Sequence, residues 1–120
     1  MARILIIDDD DPARFALRAI LEHADHEVLE ASNGLEGVKR FREEAPDLVI
    51  TDILMPEKEG LETIQELRRD FPQIRIIAIS GSGANYLSWA EEFGALRTFL
   101  KPFDRKEILA AVQDLLGENR

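Results

Sequence analysis

The sequence predicts an α/β fold: a parallel, doubly wound sheet of five strands in the order 2-1-3-4-5, with five helices. Three observations predict it. Short apolar, β-branched runs alternate along the chain with stretches that carry apolar residues at helical spacing. The runs are continuously apolar rather than alternating, as strands covered on both faces are. Turn residues and prolines separate the units, and no linker, repeat or low-complexity segment interrupts them. With 120 residues, 45% of them hydrophobic, the expectation is a single domain over residues 1–120, large enough to bury one core.

The first strand is read at Arg3–Ile7, followed by a loop at residues 8–11. Pro12 suits the first helical position with Asp11 as N-cap, and Phe15, Leu17, Ile20, Leu21 and Ala24 continue as an apolar face. A weaker strand at residues 26–31 leads through Ser32-Asn33-Gly34 to a helix at residues 35–44. Leu35, Val38 and Phe41 line that helix, and Ala45-Pro46 stops it. Leu48–Asp52 is the most apolar strand, and it delivers Asp52 to a loop marked by Met55-Pro56 and Gly60. Leu61, Ile64 and Leu67 then mark a helix at residues 61–70, ended by Phe71-Pro72.

A fourth strand is expected at residues 75–80, a Gly81-Ser82-Gly83 loop next, and a helix at residues 85–93 capped by Gly94. The last strand covers residues 97–101. Asp104-Arg105-Lys106-Glu107 has capping-box spacing, and Ile108, Leu109, Val112, Leu115 and Leu116 form the core face of the final helix, which Gly117 ends.

Composition narrows the function. Fifteen basic against 24 acidic residues give a formal net charge of -9, which repels a nucleic-acid backbone, and no Lys/Arg cluster offsets it. The absence of cysteine rules out disulfides and thiolate metal sites. The N-terminal apolar run is far too short for a signal sequence or a membrane span, so a soluble cytoplasmic protein is expected, without direct contact to nucleic acid or membrane.

Four of the acids are consecutive, Asp8 to Asp11. In the predicted strand order the first and third strands are neighbours, so Asp8, Asp9 and Asp52 converge at their C-terminal ends, where open α/β sheets bind ligands. From its own stretch alone, Asp52 reads equally well as a turn cap. Convergence changes the balance, because two unit charges about 4 Å apart repel by roughly 4 kcal/mol at an effective dielectric near 20. A proton or a cation must offset such a cluster. Mg²⁺ suits it, since that ion takes carboxylate oxygens while keeping several waters, whereas zinc is disfavoured because His23 and His26 lie away from the acids. Ser80 ends the fourth strand with a hydroxyl and Lys101 ends the fifth with an ammonium. A carboxylate nucleophile, a metal, a hydroxyl and a lysine on one rim are the parts of phosphoryl transfer.

These residues resemble the receiver domain of two-component response regulators, the CheY-like family, over essentially the whole chain. The matching pieces are residues 4–9 with the acidic pair, Asp52-x-x-Met55-Pro56-x-x-x-Gly60, Ile79-Ser80-Gly81, Gly94-Ala95 and Lys101-Pro102-Phe103. The resemblance implies that Asp52 is the phosphoacceptor. It further implies that Asp8 and Asp9 organise Mg²⁺ together with Asp52 and the Leu54 backbone carbonyl, that Ser80 binds the phosphoryl group and that Lys101 pairs with it. A cis bond between Lys101 and Pro102 is implied as well. The partners implied are a histidine kinase or histidine phosphotransfer protein as donor and a downstream effector protein as target. Such a domain is a phosphorylation-dependent switch rather than an enzyme, although able to catalyse its own phosphotransfer and dephosphorylation.

The chain departs from the family where Tyr or Phe usually stands three residues before the lysine; here that residue is Thr98. Phe99 is one residue late and so faces the opposite side of the sheet, in the core. The signal is then expected to travel through the loop at residues 81–85 and the helix at residues 86–93. Tyr86, Trp89, Ala90 and Phe93 share helical spacing, and a partly exposed Trp89 would make helix four with strand five the partner surface. Two other readings are a haloacid-dehalogenase-type phosphatase, from the Asp-x-Asp spacing after the first strand, and a flavin-binding flavodoxin-like module. Length and the Asp52 motif weigh against the first. Four aspartates where a phosphate loop is needed weigh against the second.

Overall fold

A computed structural model of the chain describes residues 2–53, 60–81 and 84–117, residues 84 and 85 by backbone alone. Its elements run β1 (Arg3–Ile7), α1 (Asp11–His23), β2 (Glu27–Ala31), α2 (Gly34–Glu44), β3 (Leu48–Asp52), α3 (Gly60–Asp70), β4 (Ile76–Ser80), α4 (Ala84–Phe93), β5 (Arg97–Leu100) and α5 (Arg105–Leu115). The strands form one sheet in the order β2-β1-β3-β4-β5, and every pairing is parallel. This is the predicted architecture.

Alternation along the strands splits their apolar side chains between two cores. Leu5, Ile7, Val49, Ile76 and Ala78 pack with Val38 and Phe41 of α2, Ile64 and Leu67 of α3 and Ala90 of α4. Ile4, Ile6, Leu48, Ile50, Ile77 and Ile79 pack with Leu17 and Leu21 of α1 and Ile108, Ala111 and Val112 of α5. Ile4 to Ile7 are all fully buried, and each such side chain contributes roughly 1.5–3 kcal/mol relative to exposure. The continuous apolar runs are thus the signature of helices on both faces.

The helix starts differ from the sequence reading. Asp10, not Asp11, stands at the N-cap of α1, and its side chain makes no capping bond. Asp11 is already helical, with its carboxylate drawn to Arg14 Nη2 at 2.6 Å, so Pro12 is the second helical residue. Asn33 caps α2 by accepting from the Glu36 amide, and Asp104 caps α5 by accepting from the Lys106 amide at 2.9 Å. Two residues assigned to core faces are exposed: Phe15 lies beside the Arg14 guanidinium, 5.4 Å from ring centroid to Cζ, and Leu35 opens to solvent. Both sit at the edge of an apolar stripe whose centre, Leu17 and Leu21 or Val38 and Phe41, fills the available space. The Lys101-Pro102 bond is cis, as expected.

Candidate functional site

Neighbouring β1 and β3 run in parallel with Ile7 opposite Thr51, so the residues that follow, Asp8 and Asp52, leave the sheet side by side. Both carboxylates are buried; Asp9 is exposed. Ligand oxygens of Asp8, Asp9 and Asp52 all lie within 4.8 Å of one another. Lys101, one residue beyond β5, reaches back across β4. Its Nζ stands 3.0 Å from Asp8 Oδ2 and 3.3 Å from Asp52 Oδ2. Ser80 ends β4 fully buried, and its carbonyl accepts the Lys101 amide at 2.8 Å, which fixes the backbone from which the lysine extends.

The remaining bonds orient the two acids. Asp52 Oδ1 accepts from the Ile53 amide at 2.7 Å, leaving Oδ2 toward Lys101. Asp8 Oδ1 accepts from the Asp10 amide at 2.9 Å, while the buried Oδ2 accepts no hydrogen bond and has the lysine charge beside it. Burial, and next the charge of Asp8, push the Asp52 carboxyl up to about 6, against the opposing pull of Lys101. For Lys101 burial is again the largest single effect and favours the neutral amine, but Asp8 and Asp52 together outweigh it and raise the pKa. Three acids and one ammonium leave net negative charge on a rim where two of the carboxylates are buried, and Asp8 Oδ2 has only the ion pair with Lys101 to offset its charge. A hard cation fits that donor set.

Of the expected site residues, Asp8, Asp9, Asp52 and Lys101 converge, and Ser80 stands at the end of the strand between β3 and β5. Leu54, Met55 and Pro56 lie outside the described residues. Beside the rim, an open cleft of about 600 Å³ is lined by Asp10, Pro12, Ala13, Gly81, Lys101 and Phe103, among others. One participant escaped the sequence reading. Arg14 donates from Nη1 to the Asp8 carbonyl at 2.7 Å, a contact that no periodicity announces.

The response regulator receiver domain family matches residues 4–113 of the chain. The chain belongs to this family. It is 35% identical over 120 residues to the protein PilH of Pseudomonas aeruginosa, covering 98% of this chain and 99% of PilH. To the chemotaxis protein CheY of Bacillus subtilis it is 37% identical over 117 residues, covering 96% and 98%. Among solved structures, a response regulator receiver domain protein from Clostridium thermocellum superposes with a TM-score of 0.92 at 30% identity, covering 99% of this chain and 97% of the other. Receiver domains are signalling switches of two-component phosphorelays, not enzymes in the usual sense, and the phosphatase and flavin readings lose their ground.

The sheet register also fixes the faces taken by Thr98 and Phe99. Thr98 pairs with Ala78, on the face covered by α2, α3 and α4, whereas Phe99 pairs with Ile79 and packs, partly buried, on the α1 and α5 face. The shift of one residue therefore does turn the ring to the other side, although Phe99 is half-buried rather than fully in the core. On α4, Trp89 is 48% exposed and edge-on to Tyr86, with ring centroids 5.3 Å apart. Phe93 at the end of α4, Leu96 just before β5 and Leu100 at the end of β5 are exposed as well.

Proposed function

We propose that this receiver domain accepts a phosphoryl group on Asp52 and, by doing so, switches a partner-binding surface. The observation that carries the reading is the meeting of Asp52, Asp8, Asp9 and Lys101 at the C-terminal ends of β1, β3 and β5. Asp52 Oδ2 is the oxygen not engaged by the Ile53 amide and is the proposed nucleophile. It forms a bond to phosphorus as the bond from phosphorus to a donor imidazole nitrogen breaks, and the released imidazole takes up a proton. Lys101 pairs with a phosphoryl oxygen and the Ser80 hydroxyl donates to another.

Mg²⁺ belongs to this reading, held by the carboxylates of Asp8, Asp9 and Asp52 and by the Leu54 carbonyl; when bound it neutralises charge on the phosphoryl oxygens. The proposed donor is a histidine kinase or histidine phosphotransfer protein, and the proposed reader a downstream effector protein that meets the α4 and β5 surface around Trp89. We place the protein in the cytoplasm, as a single domain over residues 1–120 that catalyses its own phosphotransfer and dephosphorylation. No helix among the described residues is long and apolar enough to cross a membrane. Incubation with acetyl phosphate and Mg²⁺, followed by intact-mass measurement, tests the reading. One added phosphoryl group, lost in Asp52→Asn, supports it, and equal labelling of that variant contradicts it.

A further inference from the structure

We infer that Arg14 is a positioning residue for the acidic pair and that it sets the affinity of the site for Mg²⁺. The inference rests on the reading of Asp8, Asp9 and Asp52 as the cation site. Its basis is the way one side chain ties three segments together. Arg14 donates from Nη1 to the Asp8 carbonyl at 2.7 Å, from Nε to Glu30 Oε1 at 2.7 Å and from Nη2 to Asp11 Oδ1 at 2.6 Å. These acceptors belong to the end of β1, to β2 and to the first turn of α1. The side chain is 12% exposed, and Glu30 is held from its other oxygen by Arg18.

The Asp8 carbonyl is where that clamp matters. The Asp8 amide donates to the Ala31 carbonyl at 3.0 Å, as the last bond from the β2 side, and Oδ1 accepts from the Asp10 amide. With Arg14 on the carbonyl, the residue has its amide, its carbonyl and Oδ1 engaged, and Oδ2 is the atom presented to the site. Asp9, whose carboxylate is exposed, hangs between this fixed residue and the Asp10 amide. A planar guanidinium serves three acceptors in fixed directions at once; an ammonium on a flexible stem does not.

Electrostatics and positioning predict opposite signs. Removing a positive charge close to a cation site strengthens cation binding through Coulomb's law, whereas loosening a partner that orients a metal ligand costs roughly 10- to 100-fold in affinity. Titration calorimetry of the full chain with MgCl₂ separates them. Arg14→Lys, which keeps the charge, is expected to bind Mg²⁺ roughly tenfold more weakly, and Arg14→Gln also more weakly despite losing the charge. Arg18→Ala, which loses a charge that reaches Glu30 but not Asp8, is expected to stay within about twofold or to bind more tightly. Each titration is run below the melting transition fixed by circular dichroism, so that stability alone does not move the constant.

Unchanged or tighter binding in both Arg14 variants overturns the inference, as does an equal weakening in Arg18→Ala. Asp9→Asn tells the two levels apart. If it loses Mg²⁺ affinity while the Arg14 variants keep theirs, the site reading stands and the role of Arg14 falls. If Asp9→Asn binds like the wild type, the site reading falls and takes the inference with it.

Discussion

Lys101 Nζ stands 3.3 Å from Asp52 Oδ2, joining residues 49 positions apart across the full width of β4. The same ammonium lies 3.0 Å from Asp8 Oδ2, so one lysine neutralises part of two buried carboxylates without a metal. It therefore competes with any cation that enters. Replacing Lys101 by Met is expected to tighten Mg²⁺ binding by about 1 kcal/mol, roughly fivefold, and to lower the melting temperature in EDTA but much less in saturating Mg²⁺. Calorimetry and thermal melts measure both; weaker Mg²⁺ binding in Lys101→Met would contradict this balance.

The raised pKa of Asp52 gives stability a pH dependence of defined sign. Folded, the carboxyl titrates at about 6, above its ordinary value of 3.8, because burial and Asp8 disfavour the charge. The folded state thus binds the proton more readily than the unfolded chain, so this group's contribution is greatest below pH 3.8 and is lost as pH rises through about 6. In EDTA, Asp52→Asn is expected to melt several degrees higher than the wild type at pH 8, with the difference shrinking toward pH 4. A gap that widens on acidification would reverse the assigned cause.

Gly60 secures the backbone behind Asp52. Its amide donates to the Ile53 carbonyl at 2.6 Å, and a Cβ there would stand 2.0 Å from the Asp52 carbonyl oxygen and 2.6 Å from Ile53 Cα. Those are backbone atoms of β3's end and cannot swing aside. Gly60→Ala is expected to cost about 2 kcal/mol, a fall in melting temperature of roughly 8 °C. Gly81→Ala, whose Cβ would come no nearer to a neighbour than 3.9 Å, from Lys101 Cδ, provides the tolerant comparison in the same thermal melt.

Read-out should not depend on a ring at position 98. Thr98 lies beside Ala78 on the α4 side of the sheet, and the chain's single tryptophan, Trp89, is half-exposed on α4. Beryllofluoride with Mg²⁺ is expected to shift amide signals of residues 80–89 and to change the iodide quenching of Trp89, and Thr98→Val is expected to retain both responses. Full protection of Trp89 from iodide would contradict the exposed surface. Loss of the response in Thr98→Val, with phosphorylation intact, would restore position 98 as the switch.

The fold was legible because strands buried on both faces cannot alternate: Ile4 to Ile7 and Ile76 to Ile79 announce themselves by composition alone. Strand order then followed, and with it the meeting of Asp8 and Asp52. Less legible was anything fixed by side-chain competition. Asp11 has the sequence position of a cap but turns to Arg14, and Phe15 has the spacing of a core residue but packs against the same arginine. Arg14 itself was invisible, since its contacts with Asp8 and Glu30 join three segments that only the folded sheet brings together.

The position of the acyl phosphate tests the central claim most directly. Borohydride reduces an aspartyl phosphate to homoserine, so protein treated with acetyl phosphate and Mg²⁺, reduced, digested and sequenced by tandem mass spectrometry records which carboxylate was phosphorylated. The account predicts homoserine at residue 52 and at no other aspartate, with none formed when Mg²⁺ is removed by EDTA. Homoserine at Asp8 or Asp9, or labelling that leaves residue 52 unreduced, would contradict it.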